Sequence, residues 1–382
     1  GRDQVWQLIF ADDLNVLAKG VDGIRTSVMI IFVMVLFGTP FSWPKLRGGF
    51  CYGWVGLEID LTGYRLGITL GRAQWLKDWL SGVLERQGVL VRDLAAVLGR
   101  LSFAAGPLER IRPFLSPIYA WTSVAPGAAY MAPPPDVLLC LRWLRNRLER
   151  GGRSEEVMEM QQHEGLLFRS DAKAEGDSVC IGGWECRGGI STEHARWFSV
   201  ELNQENAPWI FCKGEPFKII SALELLSTLV SVMVFIPPGA AQNGAFALSG
   251  TAATDNKGNS YVVKKLMTTA FPLSACLMEL SEQLEIRASW LDLEWVPRQQ
   301  NIEADALTNG HFAAFSPANR IMVDMKSLPF VVLTEMIEAG GGMLAELAGL
   351  REKKRIERAE ARKAKRARKR LAGLSLKDRD PW

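Results

Sequence analysis

Hydrophobic and polar positions in the first 65 residues follow the periods of short strands and one helix. Apolar residues dominate 5–10 (VWQLIF) and 14–20 (LNVLAKG), which predicts two strands on either side of an Ala-Asp-Asp turn. The run 22–37 has helical length and is followed by a Gly-Thr-Pro sequence that should end it. An aromatic run with interspersed glycines at 50–61 favours a pair of strands.

The next segment, residues 71–150, has apolar positions at helical spacing. Three stretches show the pattern: RAQWLKDWLSGVLERQ, VRDLAAVLGRLSFAAG and VLLCLRWLRNRLER. Prolines at 113, 117, 126 and 133–135 are expected to separate the helices. The segment is therefore predicted to be a helical connector.

Residues 164–315 alternate between strand and helix patterns. Strands are predicted over 166–173, 178–185, 195–202, 245–254 and 290–296. Helices are predicted over 217–235, 260–284 and 302–309. This order predicts an α/β fold, in which helices pack on a mixed sheet. From about residue 340 the chain is glycine-rich and then becomes a charged helix.

Four acidic residues stand at the ends of these elements or on them. They are Asp171, Glu224, Asp255 and Asp305, within the sequences RSDAKAEG, SALELL, TDNKGN and NIEADALTN. Carboxylates are the ligands that Mg²⁺ prefers, and acids brought together repel one another unless a cation is bound. Each acid taken singly is more simply a solvated surface residue. The ordered set predicts a site for metal-assisted phosphodiester hydrolysis.

Composition narrows the class of protein. A chain of 382 residues with 48% hydrophobic residues can form two or three domains with real cores. Six cysteines are scattered without zinc-ligand spacing, which favours reduced thiols in an intracellular protein. The apolar runs 28–37 and 223–236 fall short of the ~20 residues that a membrane span needs, so no membrane partner and no signal peptide are expected.

The order of elements, together with EWVPRQQNIEADALT at 294–308, resembles the type 1 ribonuclease H domain. The resemblance covers roughly residues 164–312. In that family the acids lie on the first strand, on the first helix, after the fourth strand and on the final helix, where the four acids of this chain fall. The resemblance implies a ribonuclease H-like mixed sheet with flanking helices. It also implies that Mg²⁺ or Mn²⁺ is the cofactor and that the RNA strand of an RNA/DNA hybrid is cleaved by a two-metal mechanism.

The resemblance also implies a role for each residue. Asp171 would bridge both ions, Glu224 and Asp255 would bind the ion near the leaving group, and Asp305 would hold the ion near the nucleophile. Ser170 and Asn256 are candidates for contacting phosphate or orienting the ligands. Many family members have a His in the loop before the last acid. This chain has none between the third and fourth acids, a difference expected to slow turnover rather than abolish hydrolysis.

Phe10-Ala11-Asp12-Asp13, set between two apolar strands, resembles the palm motif of reverse transcriptases. The sequences at 38–50 and 54–61 resemble the end of the palm and its primer-gripping hairpin, in a layout closest to DIRS-like retroelements. This resemblance implies that Asp12 and Asp13 bind metal and that Lys45 approaches the incoming triphosphate. An ordinary solvated turn and a surface lysine are the alternative interpretations.

The net charge of +3 is concentrated near the C-terminus. Residues 351–370 contain an excess of nine positive charges, and they form a helical sequence without an apolar face. Candidates for nucleic-acid contact here are Arg362, Lys363, Lys365, Arg366, Arg368, Lys369 and Arg370. Nuclear import and a simply solvated tail are the alternatives.

The sequence therefore predicts four parts. They are a partial reverse transcriptase palm (1–65), a helical thumb and connection (66–160), a ribonuclease H-like domain (161–315), and a linker with a basic helical tail (316–382). The chain begins inside a motif, so we expect a retroelement fragment that lacks an N-terminal polymerase portion and has an incomplete polymerase site. The alternative is a catalytically inactive nucleic-acid-binding relic. A resolvase or transposase is less favoured because it would not explain the palm-like segment. A nuclear or a cytoplasmic location fits equally well.

Overall fold

The computed structural model describes residues 5–157, 159–212, 214–238 and 246–377. Within these ranges the side chains of 159–164, 246–248, 343–346 and 369–377 are not described.

The N-terminal segment forms an isolated hairpin and a helix. Strands β1 (Val5–Phe10) and β2 (Asp13–Ala18) pair antiparallel, and helix α1 (Gly20–Leu36) follows. These elements agree closely with the sequence prediction. The apolar side chains of the hairpin and of α1 are largely exposed, with Phe37 reaching 86%.

A second antiparallel sheet begins with the predicted strand pair, β3 (Cys51–Trp54) and β4 (Leu57–Asp60). It gains β5 (Arg65–Ile68) and, from much later in the chain, β8 (Ser154–Glu156). The sheet thus contains residues on both sides of the predicted boundary at residue 65.

Four helices pack together between these strands. The helices are α2 (Leu70–Arg86), α3 (Val91–Ala104), α4 (Arg112–Val124) and α5 (Pro135–Glu149), with a short ladder of β6 (Val89–Leu90) and β7 (Tyr130–Met131). The prediction that Pro117 separates helices was wrong, because this residue lies within α4, whereas Pro113 marks the start of that helix. Pro113 is in the first turn, where no intrahelical N–H bond is required, and Pro117 is buried in the core.

A five-stranded mixed sheet forms the remainder of the core. Its strands are β9 (Glu159–Glu175), β10 (Ser178–Glu185), β11 (Trp197–Leu202), β12 (Phe246–Thr254) and β13 (Ser289–Trp295). The spatial order is β11-β10-β9-β12-β13, with antiparallel pairing among the first three and parallel pairing for β9-β12 and β12-β13. The predicted mixed α/β fold is confirmed, and each predicted strand is present.

The helices of this part are α6 (Ile220–Phe235), α7 (Lys257–Lys265), α8 (Leu273–Ile286) and α9 (Ile302–Thr308). The single helix predicted over 260–284 was wrong, since α7 and α8 are separate. Leu266 ends α7 in a left-handed conformation, and Pro272 cannot continue a helix because it lacks an N–H donor.

Helix α6 lies between the sheet and α8, and small residues allow it to approach closely. Ser227 Oγ donates to the carbonyl of Gly182 at 2.9 Å, and a Cβ added to Gly183 would lie 2.6 Å from Ser231 Oγ. By length and hydropathy the helical stretch Pro216–Phe235 could cross a membrane, yet 61% of that window is buried inside the protein. We therefore interpret its apolar sequence as that of a core helix packed on two sides.

The helical part and the mixed sheet share one hydrophobic core. Arg110 is buried at this junction and donates to the carbonyls of Ser281 (3.4 Å) and Ser289 (3.0 Å). The final helix, α10 (Leu333–Lys377), contacts α4, α5 and α8 before it extends away.

Candidate active site

Asp171 lies on the central strand β9, opposite Gly182 of β10. Its carboxyl is only 7% exposed and accepts a 2.8 Å hydrogen bond from Thr308 Oγ1 of α9. The pKa of Asp171 is raised to about 7. Burial is the main cause, the charges of Asp255 and Asp305 contribute to the rise, and the hydrogen bond from the Thr308 hydroxyl opposes it. This carboxyl therefore titrates near neutrality.

Glu224 projects from the first turns of α6 toward the same end of the sheet. Thr254 Oγ1 lies 3.5 Å from Glu224 Oε2, at the limit of a hydrogen bond. Burial raises the pKa of Glu224 to about 8, and the next largest contributions come from the charges of Asp255 and Asp171. Electrostatic interactions thus link Glu224 directly to Asp255 and Asp171, and Asp171 in turn to Asp305.

Asp255 directly follows β12, where the strand turns toward α7. Its backbone carbonyl accepts a 3.0 Å hydrogen bond from Trp295 Nε1, which holds the turn against β13. Burial raises the pKa of the Asp255 carboxyl. Its Oδ1 atom is buried without a hydrogen-bond partner in the described structure, so a ligand could use this acceptor.

Asp305 lies on α9 and has polar partners on both carboxylate oxygens. Arg298 Nη2 lies 2.5 Å from Oδ1, and Asn309 Nδ2 lies 3.0 Å from Oδ2. Lys173 Nζ donates to Asn309 Oδ1 at 2.9 Å and so extends the network to β9. The side chain of Arg298 is 75% exposed, and its charge also lowers the pKa of Asp255.

The four acids thus come from a strand, two helices and a strand end, and the charges of neighbouring acids contribute to the raised pKa values of Asp171, Glu224 and Asp255. In the described part of the chain, no three His, Cys, Asp or Glu side chains are close enough to form a preassembled metal-ligand group. Mutual repulsion among carboxylates opposes such an arrangement when no cation is present. The unpartnered Asp255 Oδ1 and the raised pKa values of Asp171 and Glu224 nevertheless fit a divalent cation, since it would relieve both.

Asn256 and Ser170, the predicted phosphate contacts, have structural partners. Asn256 Oδ1 caps α7 by accepting from Asn259 N at 3.1 Å, and its Nδ2 donates to Ser221 Oγ at 3.3 Å. Ser170 is only 1% exposed, and its hydroxyl bonds to Thr228 Oγ1 at 3.1 Å. The Ser170 hydroxyl therefore faces α6, and its predicted role in contacting phosphate or orienting the ligands stays a prediction.

Sequence reasoning missed three residues near the site: Arg298, Thr308 and Asn309. All three lie in or beside the sequence that carries Asp305. Thr308 and Asn309 follow Asp305 by three and four residues, the spacing that brings helical side chains together. That spacing was a usable signal for both, whereas the bond from Thr308 to Asp171 joins residues 137 apart in sequence.

The palm-like residues lie elsewhere. Asp12 and Asp13 are exposed at the tip of the β1–β2 hairpin, and Lys45 is exposed in the short 3₁₀ turn Trp43–Lys45. Within the described residues, none of these three side chains has a hydrogen bond or ion pair with the four acids. Their proposed polymerase roles therefore stay predictions.

The basic tail residues lie on α10. Those from Arg362 to Arg368 are exposed, whereas the side chains of Lys369 and Arg370 lie outside the described part.

Comparisons with known proteins give distant structural similarities. The chain is similar to ribonuclease H1 from the halophilic archaeon Halobacterium salinarum NRC-1, at 15% identity and a TM-score of 0.26, over 38% of this chain and 95% of that one. It is also similar to the foamy viral protease-reverse transcriptase in complex with double-stranded DNA, at 13% identity and a TM-score of 0.32, over 76% of this chain and 46% of that one. The chain thus spans less than half of the viral protein's length. It matches no protein-family model and no curated protein.

Both TM-scores are below 0.5, so these similarities do not assign a fold to this chain. Asp171 lies on the first strand of the mixed sheet, Glu224 on its first helix, Asp255 after its fourth strand and Asp305 on its last short helix. This is the placement that the sequence resemblance implied.

Proposed function

We propose that this chain is a ribonuclease H-type nuclease that hydrolyses the RNA strand of RNA/DNA hybrids with Mg²⁺ or Mn²⁺. One observation carries the proposal. The pKa values of Asp171, Glu224 and Asp255 are raised, chiefly by burial and also by neighbouring acids, and one buried carboxylate oxygen among them, Asp255 Oδ1, has no hydrogen-bond partner within the described residues. Such a concentration of buried acids is costly unless a cation is bound.

The residues that would hold the metal are the four acids Asp171, Glu224, Asp255 and Asp305. Bound divalent ions would lower the pKa of a water molecule and stabilise the leaving 3′-oxygen. Thr308 fixes the Asp171 carboxylate, so one ligand is held before binding. Hydrolysis by in-line attack of water would leave 5′-phosphate and 3′-hydroxyl ends.

Hybrid selectivity is the finer part of the proposal. An enzyme of this type would distinguish RNA from DNA by contacts to the 2′-hydroxyl and by the groove shape of the duplex. Asn256, half-buried beside Glu224 at the start of α7, remains our candidate for orienting the ligands.

We also propose that the N-terminal part derives from a retroelement reverse transcriptase of the DIRS-like type. Supporting this are the aromatic-Ala-Asp-Asp turn of the β1–β2 hairpin, helix α1 after it and the β3–β4 hairpin beyond. In that arrangement Asp12 and Asp13 would be palm metal ligands and Lys45 would approach the triphosphate. We do not propose that this chain adds nucleotides by itself.

The test is cleavage of an RNA/DNA hybrid labelled on the RNA strand by the full chain, with Mn²⁺ and with EDTA, beside Asp255→Asn. We expect Mn²⁺-dependent cutting that the substitution reduces by at least about 100-fold, since it removes a metal ligand. The variant also excludes a contaminating host nuclease. Equal cutting by both proteins would refute the assignment.

The rival function is an inactive nucleic-acid-binding relic. Calorimetric titration of the EDTA-dialysed chain with Mn²⁺ separates the two. A catalytic site should bind Mn²⁺ in a manner that Asp255→Asn weakens. A folded wild-type chain that binds the hybrid, but neither binds Mn²⁺ nor cuts the RNA strand, would favour the inactive relic.

A further inference from the structure

The positive charge of α10 is segregated to one face of the helix. At 100° per residue, basic side chains recur on one side from residue 351 to 366. This cationic stripe consists of Arg351, Lys354, Arg355, Arg358, Arg362, Lys365 and Arg366. Its length is about 22 Å, at 1.5 Å per residue. Glu357 and Glu360 lie on the opposite face, so the stripe is a local excess of charge and not an averaged property of the tail.

The stripe faces the body of the protein. Most of its members line a groove of about 610 Å³ whose other wall is Ser123 and Val124, at the C-terminal end of α4. Lys354 Nζ donates to the Ser123 carbonyl, where a cation is favoured by the exposed carbonyls of a helix end. No acidic side chain is among the described residues that line the groove.

The base of α10 is held firmly in place. Glu279 of α8 is fully buried, and its carboxylate accepts hydrogen bonds from the backbone N–H groups of Val331, Val332 and Leu333 at 2.7–3.0 Å. A carboxylate at these free N–H groups is favourable both as a hydrogen-bond acceptor and as a charge at a helix N-terminus. The stripe is therefore presented by a helix fixed to the mixed sheet's own helix layer.

We propose that this groove binds the sugar-phosphate backbone of a nucleic acid, which, resting on the proposed function, would be the hybrid duplex. A row of guanidinium groups suits phosphate, because each can donate two parallel hydrogen bonds to its oxygens. A membrane surface is disfavoured, since the face opposite the stripe carries Glu357 and Glu360 and not an apolar strip. An acidic protein would lack the apolar anchors that dominate such interfaces.

A phosphate-binding groove differs from a generally basic tail in one testable respect. Charges on the stripe should matter, and equal charges on the other face should not. Arg358→Gln with Arg362→Gln removes two stripe charges. Lys353→Gln removes one charge from the opposite side of the same helix, and Arg358→Gln alone is its charge-matched counterpart on the stripe. Glutamine retains good helix propensity in all of these variants.

The experiment is fluorescence anisotropy of a labelled RNA/DNA hybrid with the full chain in EDTA across a range of salt concentrations. Each phosphate contact contributes about 0.9 to the slope of log K against log salt, so the double stripe variant should lower the slope by about 1.8. At 0.1 M salt, affinity should fall on the order of ten-fold or more. The opposite-face variant should change both values little. Circular dichroism verifies that the variants stay helical.

Equal losses of hybrid affinity per charge removed on the two faces would overturn the proposal that the groove binds the backbone, because they would show a diffuse charge effect. The proposal would also be overturned if the stripe variant lost binding to phosphatidylserine vesicles while its binding to the hybrid stayed unchanged. Since EDTA suppresses catalysis, the result is independent of cleavage. An absence of Mn²⁺-dependent cutting would count against the nuclease and leave the groove intact.

Discussion

Asp171 and Glu224 retain their protons at a pH where ordinary carboxyl groups have lost them. Burial is the main cause for both, and neighbouring acids add to it. Arg298 and Asn309 contact the two carboxylate oxygens of Asp305. The site therefore combines acids that need a cation with one that already has a charged partner.

The first prediction concerns pH and stability. The unfolded chain loses these protons near pH 4, whereas the folded chain holds them to about pH 7 for Asp171 and about 8 for Glu224. Between those limits the folded state binds more protons, so the free energy of unfolding of the metal-free chain should fall as pH rises from about 4 to 8. The loss is up to roughly 4 kcal/mol for Asp171 and roughly 5 kcal/mol for Glu224.

Urea denaturation at pH 5 and pH 8, in EDTA and in Mn²⁺, measures this effect. Mn²⁺ should restore stability at pH 8 by about 2.7 kcal/mol when present at 100 times its Kd. Asp171→Asn combined with Glu224→Gln should flatten the metal-free profile. An unchanged profile in that double variant would show that other groups are responsible.

The second prediction concerns Arg298. Its guanidinium competes with a cation for Asp305, so Arg298→Ala should strengthen Mn²⁺ binding by about two- to five-fold, the range for a largely exposed ion pair. Arg298→Lys keeps the charge and should leave the affinity closer to that of the wild type. Calorimetry on EDTA-dialysed protein provides the values. Weaker Mn²⁺ binding by the alanine variant would mean that Arg298 supports the ligands and does not compete with them.

At the scale of elements, the position of Glu224 depends on how closely α6 approaches the sheet. Gly183 of β10 allows that approach, since an added Cβ would meet Ser231 Oγ at 2.6 Å and Phe198 Cε1 at 3.0 Å. The contact between strand and helix thus determines where the carboxylate lies.

Gly183→Ala should therefore lower the free energy of unfolding by about 1–3 kcal/mol through overpacking and should weaken Mn²⁺ binding by displacing α6. Gly99→Ala is the matched control. An added Cβ at Gly99 of α3 meets nothing within 4 Å, and alanine is the better helix former there. Denaturation and calorimetry report both effects. A Gly183→Ala chain as stable as the control would show that the layers separate without cost.

At the scale of the whole molecule, buried polar groups join parts that are distant in sequence. Arg110 links the helical part to the mixed sheet, and Glu279 links α8 to α10. Each group would be costly to bury without its partners, so both junctions are specific.

Glu279→Gln should weaken the junction with α10, because an amide cannot accept as strongly from three backbone N–H groups. We expect a loss of about 1–3 kcal/mol in the free energy of unfolding and faster hydrogen exchange at Val331, Val332 and Leu333. Glu360→Gln, on the exposed part of α10, is the control and should change neither quantity. Unchanged exchange in Glu279→Gln would show that packing alone holds the helix.

Much of the local structure could be predicted from the sequence. Strand β10 was predicted at its observed bounds, and all four acids were assigned to the elements that carry them. Periodicity and the acids' order suffice for this, because alternation and helical spacing are properties of neighbouring residues. The same local rules failed at Pro117, where burial in the packed core outweighs a lost hydrogen bond.

The sequence by itself determined most of the strands and helices around the four acids, the order of those acids and the cationic content of the tail. Only the tertiary structure decided that Thr308 meets Asp171, that Arg298 pairs with Asp305, that Ser170 is sealed beneath α6 and that the cationic stripe faces α4. The physical reason is one of range. Backbone preference acts between residues a few positions apart, whereas burial, pKa and charge pairing depend on how side chains pack in three dimensions, which joins residues as far apart in sequence as Asp171 and Thr308, 137 positions.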